Sequence, residues 1–345
     1  MASFVSALKR EIEYRQDFFK KGDKPATLYL GGGTPSFLPI DLLKSIVDSV
    51  LEAFSFVPEE FTIEVNPENI NAAYVRELKS LGVNRISMGI QSFNDANLHW
   101  MNRRYNSQEA IEAFKVLRDC GMSNISLDLI FGYDGLTMDQ WQRDVDRIIE
   151  LHPEHISAYQ MSIEEESALF DIMYGGGYSE MDDEESAAQY ASLQKSLARA
   201  GYNQYEVSNF AVEGKESLHN SSYWKRVPYL GLGPSAHSFS GNRRSWNYAW
   251  LDKYIESLSV PKITGDFFAF ETLSDNDIFN EQLMLGLRQS AGLDLSIPDK
   301  KRLESIMPKI EKLIDSEELI KENNFLRVPT EKLFVSDHII GKLFI

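Results

Sequence analysis

Thiols are nearly missing from this chain. Its 345 residues include one cysteine, Cys120. That excludes an intramolecular disulfide and any metal site built from several thiolates. Cys120, just ahead of Gly121, reads as an inert thiol near a helix end. Long apolar runs are missing too. No apolar stretch reaches about 18 residues, so no membrane-spanning helix is expected. Met1 to Arg10 lacks the basic-then-apolar layout of a signal peptide, which makes the cytoplasm the expected setting. Basic residues are in short supply, with 35 Lys and Arg against 52 Asp and Glu and a net charge of −17. A chain of that sign repels phosphate backbones, so nucleic acid is not expected as a partner. Lys225-Arg226 with Arg243-Arg244 forms the best candidate for a local basic patch. Internal repeats and low-complexity tracts are also missing.

What is present is ordinary globular composition, 43% apolar and 25% charged, on a chain long enough to bury a core without crosslinks. Short β-branched or aromatic runs alternate with helical patterns. Strands are expected at residues 26–30, 61–65, 85–89, 125–130, 155–159 and 205–207. Helices are expected at 40–54, 72–81, 107–120, 138–151 and 184–200, after an opening helical pattern at 4–19. Thr137 and Gln140 fit a capping box. Asp182 to Glu185 read as first-turn acids complementing a helix dipole. Repeated strand–helix units without a dinucleotide fingerprint imply an α/β fold with a parallel sheet, closed or partly closed into a TIM-type barrel. From about Phe267 the alternation stops. Helices at 271–288 and 299–316 follow, then a hairpin pairing 326–328 with 334–336. The expected division is therefore a barrel domain over 1–262 and a small helical, winged-helix-like domain over 263–345.

Ligands of parallel barrels bind at the C-terminal ends of the strands. There the sequence places Gly31-Gly32-Gly33-Thr34-Pro35, then Glu64 with Asn66, then Gly89-Ile90-Gln91-Ser92-Phe93, then Asp128 with Gly132, then Tyr159-Gln160. Glycines, two carboxylates and amides converging on one rim suit a polar small molecule that carries amine and hydroxyl groups.

The same segments resemble a known family. Tyr29-Leu30-Gly31-Gly32-Gly33-Thr34-Pro35-Ser36, Glu64-Val65-Asn66-Pro67-Glu68, Gly89 to Phe93 with Asn102-Arg103, and Asp128-Leu129-Ile130-Phe131-Gly132 are similar, in order, to the motifs of oxygen-independent coproporphyrinogen oxidase-like radical S-adenosylmethionine (SAM) proteins. The resemblance implies a radical SAM barrel and a SAM site. Gly32, Gly33 and Thr34 would cradle the methionine part, and Glu64, Gln91, Arg103 and Asp128 would hold the amino-acid and ribose portions. Met161 lies where the family places a further contact. Downstream, His219-Asn220-Ser221-Ser222-Tyr223-Trp224, followed by Tyr229 to His237, resembles the HNxxYW segment of the family's haem-chaperone branch. It implies haem held by His219, Asn220, Tyr223 and Trp224, and transfer to an acceptor protein. Imidazole is a common haem ligand and aromatic rings supply flat apolar area, but the same residues also suit purely structural roles. His237 is a second candidate ligand. The alternative branch implies an oxygen-independent coproporphyrinogen III oxidase, which decarboxylates two propionates to vinyl groups.

The departure from the family is the iron–sulfur cluster. The family carries a [4Fe–4S] cluster on a CxxxCxxC loop after its first barrel strand. This chain has neither the motif nor that strand, and the segment would lie upstream of Met1. Either the chain is a truncated form or it is a degenerate member that keeps a pocket without radical chemistry. Truncation is the expectation, together with weakened SAM binding. Loss of a strand would expose a sheet edge, which leaves a homodimer open.

Overall fold

The computed structural model describes residues 1–20, 23, 25–165 and 167–345. In chain order the elements are α1 (Ala2–Tyr14), β1 (Thr27–Leu30), α2 (Ile40–Phe54), β2 (Glu60–Val65), α3 (Ala72–Ser80), β3 (Arg85–Gln91), α4 (Asp95–Trp100), α5 (Ser107–Asp119), β4 (Ile125–Phe131), α6 (Met138–Leu151), β5 (His155–Gln160), α7 (Ala168–Tyr174) and α8 (Asp183–Arg199). The second half continues with β6 (Asn203–Gln204), β7 (Asn209–Ala211), α9 (Leu218–Trp224), β8 (His237–Ser240), β9 (Arg243–Asn247), α10 (Leu251–Leu258), β10 (Phe268–Thr272), α11 (Asp275–Leu287), β11 (Leu293–Asp294), α12 (Lys300–Asp315), β12 (Ile320–Glu322), β13 (Phe325–Arg327) and α13 (Ser336–Gly341).

Strands β1 to β5 form a parallel sheet in sequence order, extended by β7 and β6. This is the expected α/β partial barrel, with β1 at one edge. Two-residue periodicity gives the sheet two chemically different faces. Phe61, Ile63 and Val65 of β2, Ile86, Met88 and Ile90 of β3, and Ile125, Leu127 and Leu129 of β4 share one buried cluster with Leu43 of α2, Leu78 of α3, Leu117 of α5, Trp141 of α6 and Leu193 of α8. The helices thus cover the apolar face. The opposite face carries Thr27 and Tyr29, Glu60, Thr62 and Glu64, Arg85 and Ser87, Ser126 and Asp128, then His155, Ser157 and Tyr159, by alternation along each strand.

Several helix starts follow their sequence signals. Thr137 and Gln140 form a reciprocal capping box on α6. Asp182 caps α8 by accepting from the Glu184 N–H, ahead of three first-turn acids. Asn106 with Glu109 caps α5 in the same way as Thr137 with Gln140.

Three expectations are corrected. Residues 205–207 are not a sixth parallel strand. They form the turn between β6 and β7, whose pairing with β5 is antiparallel. The Tyr205 N–H bonds the Asn209 carbonyl and the Glu206 carboxylate accepts from the Asn209 amide, which closes the turn despite the strand-favouring Tyr and Val. The C-terminal hairpin joins β12 to β13 through Asn323-Asn324, and Phe334 lies instead in a 3-10 turn. There its ring packs against Tyr190 at 5.1 Å and Phe131 at 6.3 Å, so burial on the barrel overrides hairpin pairing. Finally, residues 268–272 are strand β10, paired with β9, so α11 starts only at Asp275, after its Ser274 cap. That second sheet, β10-β9-β8, draws strands from both sides of residue 262. β11, β13 and β12 form a third small sheet beside α11.

Helix α1 is tied in by charge as well as by apolar packing. Val5, Leu8 and Ile12 pack with Ile46, Val50 and Phe56. Glu11 is fully buried. Its carboxylate accepts from Arg15 Nε at 2.9 Å, Asn247 Nδ2 at 2.7 Å, the Gly233 N–H at 2.8 Å and Tyr254 Oη at 2.5 Å. Removing one member of a buried pair strands the other charge. Glu11→Ala is therefore expected to cost about 3–5 kcal/mol in denaturant unfolding, and Glu11→Gln a comparable amount, since it also strands Arg15 and turns an amide NH2 towards other donors. Equal midpoints for Glu11→Ala and the parent would contradict this.

Candidate functional site

A cavity of about 380 Å³ opens at the C-terminal ends of the parallel strands, lined among others by Tyr29, Gly33, Thr34, Glu64, Asn66, Ser87, Gln91, Arg103, Asp128 and Tyr159. Its size falls within the roughly 300–1,000 Å³ range of small-molecule pockets. The glycine loop is built against Glu64. A Cβ on Gly31 would lie 2.5 Å from Tyr29 Cε1 and 2.7 Å from Glu64 Oε1, and Gly32 and Gly33 sit at φ +75° and +90°. Only glycine meets both demands. Glu64 then accepts from the Gly32 N–H at 3.1 Å and from Tyr29 Oη at 2.9 Å. At the end of β3, Gln91 holds φ 71° and folds back so far that a Cβ on Gly89 would meet its Nε2 at 2.6 Å.

Two carboxylates and one guanidinium give the cavity its chemistry. Asp128 takes hydrogen bonds from Ser87 Oγ at 3.2 Å and Ser126 Oγ at 3.3 Å. Burial nevertheless outweighs these bonds and the nearby Arg85, and raises its pKa to about 6. Arg103 Nε is buried without a hydrogen-bond partner, an expense that a bound anionic group would offset.

The remaining sequence candidates are placed as follows. Gly32 meets the site through its N–H on Glu64. Met161 is not among the cavity-lining residues. It packs against the main core, and its N–H bonds the Phe131 carbonyl, which continues the pairing of β5 with β4 by one residue. Ser92, inside the Gly89–Phe93 motif, faces α6, where its hydroxyl donates to buried Asp144 at 2.6 Å. Cys120 is the C-cap of α5, half-buried, with Sγ 3.9 Å from the Ala72 carbonyl. No group of three or more His, Cys, Asp or Glu side chains among the described residues forms a metal-binding cluster. With Cys120 as its single cysteine, this chain does not itself carry the several thiolates of an iron–sulfur cluster site. Arg226 and Arg244 both pair with Glu281, and Arg243 stacks on Phe270 at 3.7 Å. The expected basic patch is thereby largely consumed within the fold.

His219 lies directly beside the cavity. Glu60, buried at the start of β2, accepts from the Leu218 N–H at 2.9 Å, the His219 N–H at 2.9 Å and Ser217 Oγ at 3.2 Å. This fastens the start of α9 over the sheet. The His219 ring stacks on Tyr29 at 4.7 Å and 22°. Its Nδ1 is 2.8 Å from Thr27 Oγ1 and its Nε2 is 2.9 Å from Tyr223 Oη. Burial, reinforced by Arg85 and opposed by Glu60, lowers its pKa to about 4. Tyr223 is on the same helix face, four residues on, and is 38% exposed. Trp224 is five residues on and so turned well away from His219. It lies under Arg288 at 5.7 Å with its Nε1 buried and unpartnered. The Asn220 N–H bonds the Ser217 hydroxyl. His237 is exposed and stacks on Trp246.

Comparisons with known proteins give the family and the fold. The model of the radical SAM superfamily matches residues 5–148. Heme chaperone HemW of Bacillus subtilis is 32% identical over 269 residues, covering 77% of this chain and 70% of the relative. Heme chaperone HemW of Lactococcus lactis is 32% identical over 272 residues, covering 79% and 71%. This chain belongs to the HemW family of radical SAM proteins. Among solved structures, coproporphyrinogen III oxidase HemN of Escherichia coli superposes with a TM-score of 0.81 at 20% identity, covering 99% of this chain and 83% of that one. That likeness establishes the shared fold.

Sequence reasoning missed Thr27, Ser87 and His155. Each was visible as a polar residue in the two-residue alternation of its strand. His155 is fully buried, bridging Ser126 Oγ and Tyr205 Oη at 2.8 Å each, and burial first, then Arg85, holds it well below the usual imidazole range. For His219 the depressed pKa means that stability from its neutral form is fully present above the unfolded value near 6.5 and is lost progressively as pH falls from there through about 4. Nitrogen-15 NMR should therefore find a neutral His219 at pH 5.5, and a midpoint near 6.5 would refute the assignment.

Proposed function

We propose that this protein is a haem chaperone that takes haem on the exposed side of α9, with His219 as the iron ligand, and passes it to an acceptor protein in the cytoplasm. The observation that carries the reading is a preorganised imidazole, stacked on Tyr29 and held at Nδ1 by Thr27, whose Nε2 meets the hydroxyl of the partly exposed Tyr223. Membership of the HemW family supports it. Among the described residues no helix is long and apolar enough to cross a membrane. The oxidase alternative rests on the shared fold alone. Haemin titration followed at the Soret band should give a saturable one-to-one shift. His219→Ala should weaken it by about tenfold or more, the loss of one coordinate bond that no neighbour replaces. Equal affinities would sink the haem reading.

The strand-end cavity is proposed as the SAM site. Its lining fits that molecule: an unpartnered guanidinium for a carboxylate, two acidic acceptors for ammonium and hydroxyl groups, and a glycine cradle that a side chain would fill. Arg103 would pair with the carboxylate. Glu64 and Asp128 would take the ammonium and ribose hydroxyls, with Gly32, Gly33, Thr34 and Gln91 shaping the wall. When bound, SAM would supply a sulfonium and, in proteins holding a reduced cluster, a radical source. This chain supplies no thiolates for that cluster, and no radical step is assigned to it. Arg103→Ala should weaken SAM binding by about ten- to a hundredfold in calorimetry, the range for a charge-assisted hydrogen bond. A cationic ligand also favours ionised Asp128. Binding at pH 6 should then release up to about half a proton, shrinking towards zero by pH 7.5. Calorimetry in buffers of different ionisation enthalpy measures this, and proton uptake would contradict it.

A further inference from the structure

The seat of His219 on β1 contains more than a ligand needs in order to be held. The two ring nitrogens have hydroxyl partners of different chemistry: an alcohol, Thr27 Oγ1, at Nδ1 and a phenol, Tyr223 Oη, at Nε2. A neutral imidazole has one N–H and one lone pair, so the two bonds must run in opposite senses. A phenol is a far stronger hydrogen-bond donor, and a weaker acceptor, than an aliphatic alcohol. The favoured arrangement therefore has Tyr223 donating its O–H to the Nε2 lone pair and the Nδ1–H donating to Thr27. Thr27 and Tyr29 are two apart on β1 and face the same way. One orients the ring edge, and the other stacks flat on it at 4.7 Å. The strand pairs with β2 through all four of its residues. Tyr223 is on the short helix α9, partly exposed, held edge-on to Tyr229 at 4.6 Å, and among the described residues its hydroxyl makes no hydrogen bond besides that to Nε2.

We propose that Thr27 is the positioning residue that fixes His219 in the tautomer able to bind iron through Nε2, and that the Tyr223 hydroxyl caps that nitrogen until haem displaces it. The inference rests on the haem reading above and deepens it. In the exchange, the Tyr223 O–H···Nε2 bond breaks, the Nε2 lone pair forms the bond to iron, and the tyrosine keeps its proton, so no oxidant or base is consumed. The Nδ1–H stays on Thr27 throughout, and the second partner of a metal-bound imidazole generally sets both its orientation and its basicity. The cap also gives the chaperone a means of letting go. When an acceptor draws the haem away, the phenol reoccupies Nε2, and no bare buried lone pair is left behind.

The test compares four variants by haemin titration and by electron paramagnetic resonance of the ferric complex. Thr27→Val matches the shape without the hydroxyl, and it should weaken haem binding by about tenfold and alter the ferric spectrum. Thr27→Ser restores the hydroxyl and should recover both. Tyr223→Phe removes the competitor and should tighten binding by about three- to tenfold, the equivalent of one net hydrogen bond. His219→Ala reports on the underlying reading. Thr27→Val with parental affinity and spectrum, or Tyr223→Phe that binds haem no more tightly than the parent, overturns the proposal while His219→Ala still weakens haem binding by about tenfold or more. If His219→Ala binds as the parent does, the haem reading itself fails and the proposal falls with it.

Discussion

The contact between Glu60 and the start of α9 organises the rest of the site. Glu60 is nearly fully buried, 4.0 Å from the buried guanidinium of Arg85, and spends its lone pairs on Ser217, Leu218 and His219. A buried carboxylate without such partners would cost several kcal/mol, of order the whole stability margin of a domain. The start of α9 therefore has little freedom to leave β2. Because β1 and β2 are in parallel register, with Thr27 opposite Glu60 and Tyr29 opposite Thr62, fixing α9 on Glu60 also brings His219 onto Thr27 and Tyr29. A seven-residue helix has too little intrinsic stability to hold such a position. Here it is held by one carboxylate at its beginning.

Arg85 supplies the second constraint. Its charge sits on the inner face of the sheet, buried, with Nε paired to Glu60 only at ion-pair distance and without a hydrogen bond. It acts on its surroundings in two directions. It opposes the burial-driven rise at Asp128 and adds to the burial-driven fall at His155 and His219. The inner face thus keeps its imidazoles neutral while leaving the cavity carboxylate close to titration near neutral pH. Neutral imidazole is the form that binds a metal, and a carboxylate close to its midpoint responds to the charge of whatever enters the cavity.

Much of this was legible in the sequence. Strands β1 to β5 and the main barrel helices were found at nearly their observed bounds, because each strand is a short β-branched run and each helix an amphipathic one. The cavity residues Glu64, Gln91 and Asp128 announced themselves as polar groups at strand ends. What stayed hidden was set by partners far along the chain. Thr27 and His219 are 192 residues apart, and nothing local to either points to the other. Residues 205–207 carry strand propensity, and a side-chain bond from Asn209 to Glu206 decides against it. Trp224 reads as part of an aromatic haem face, yet helical geometry turns it towards Arg288. The alternation Arg85, Ser87, Gly89, Gln91 was present in the letters. Reading it as a polar inner wall requires knowing that this face points into a barrel instead of into solvent.

Tyr29 belongs to both halves of the molecule's chemistry. Its ring stacks on His219, its edge lines the cavity, and its hydroxyl donates to Glu64, which also holds the glycine loop through Gly32. Burial, with Glu64 and Asp128 nearby, raises its pKa far above the ordinary phenol value, so it remains a neutral donor at any physiological pH and Glu64 remains the acceptor. The glycine at position 31 is required by the same contact, since a methyl group there would strike the tyrosine ring and the carboxylate together. One aromatic side chain therefore fixes the geometry of the loop, the orientation of a cavity carboxylate and the plane of the imidazole. The two sites are not separate grafts on a common barrel. They share a wall, and any change that moves Tyr29 must be felt in both.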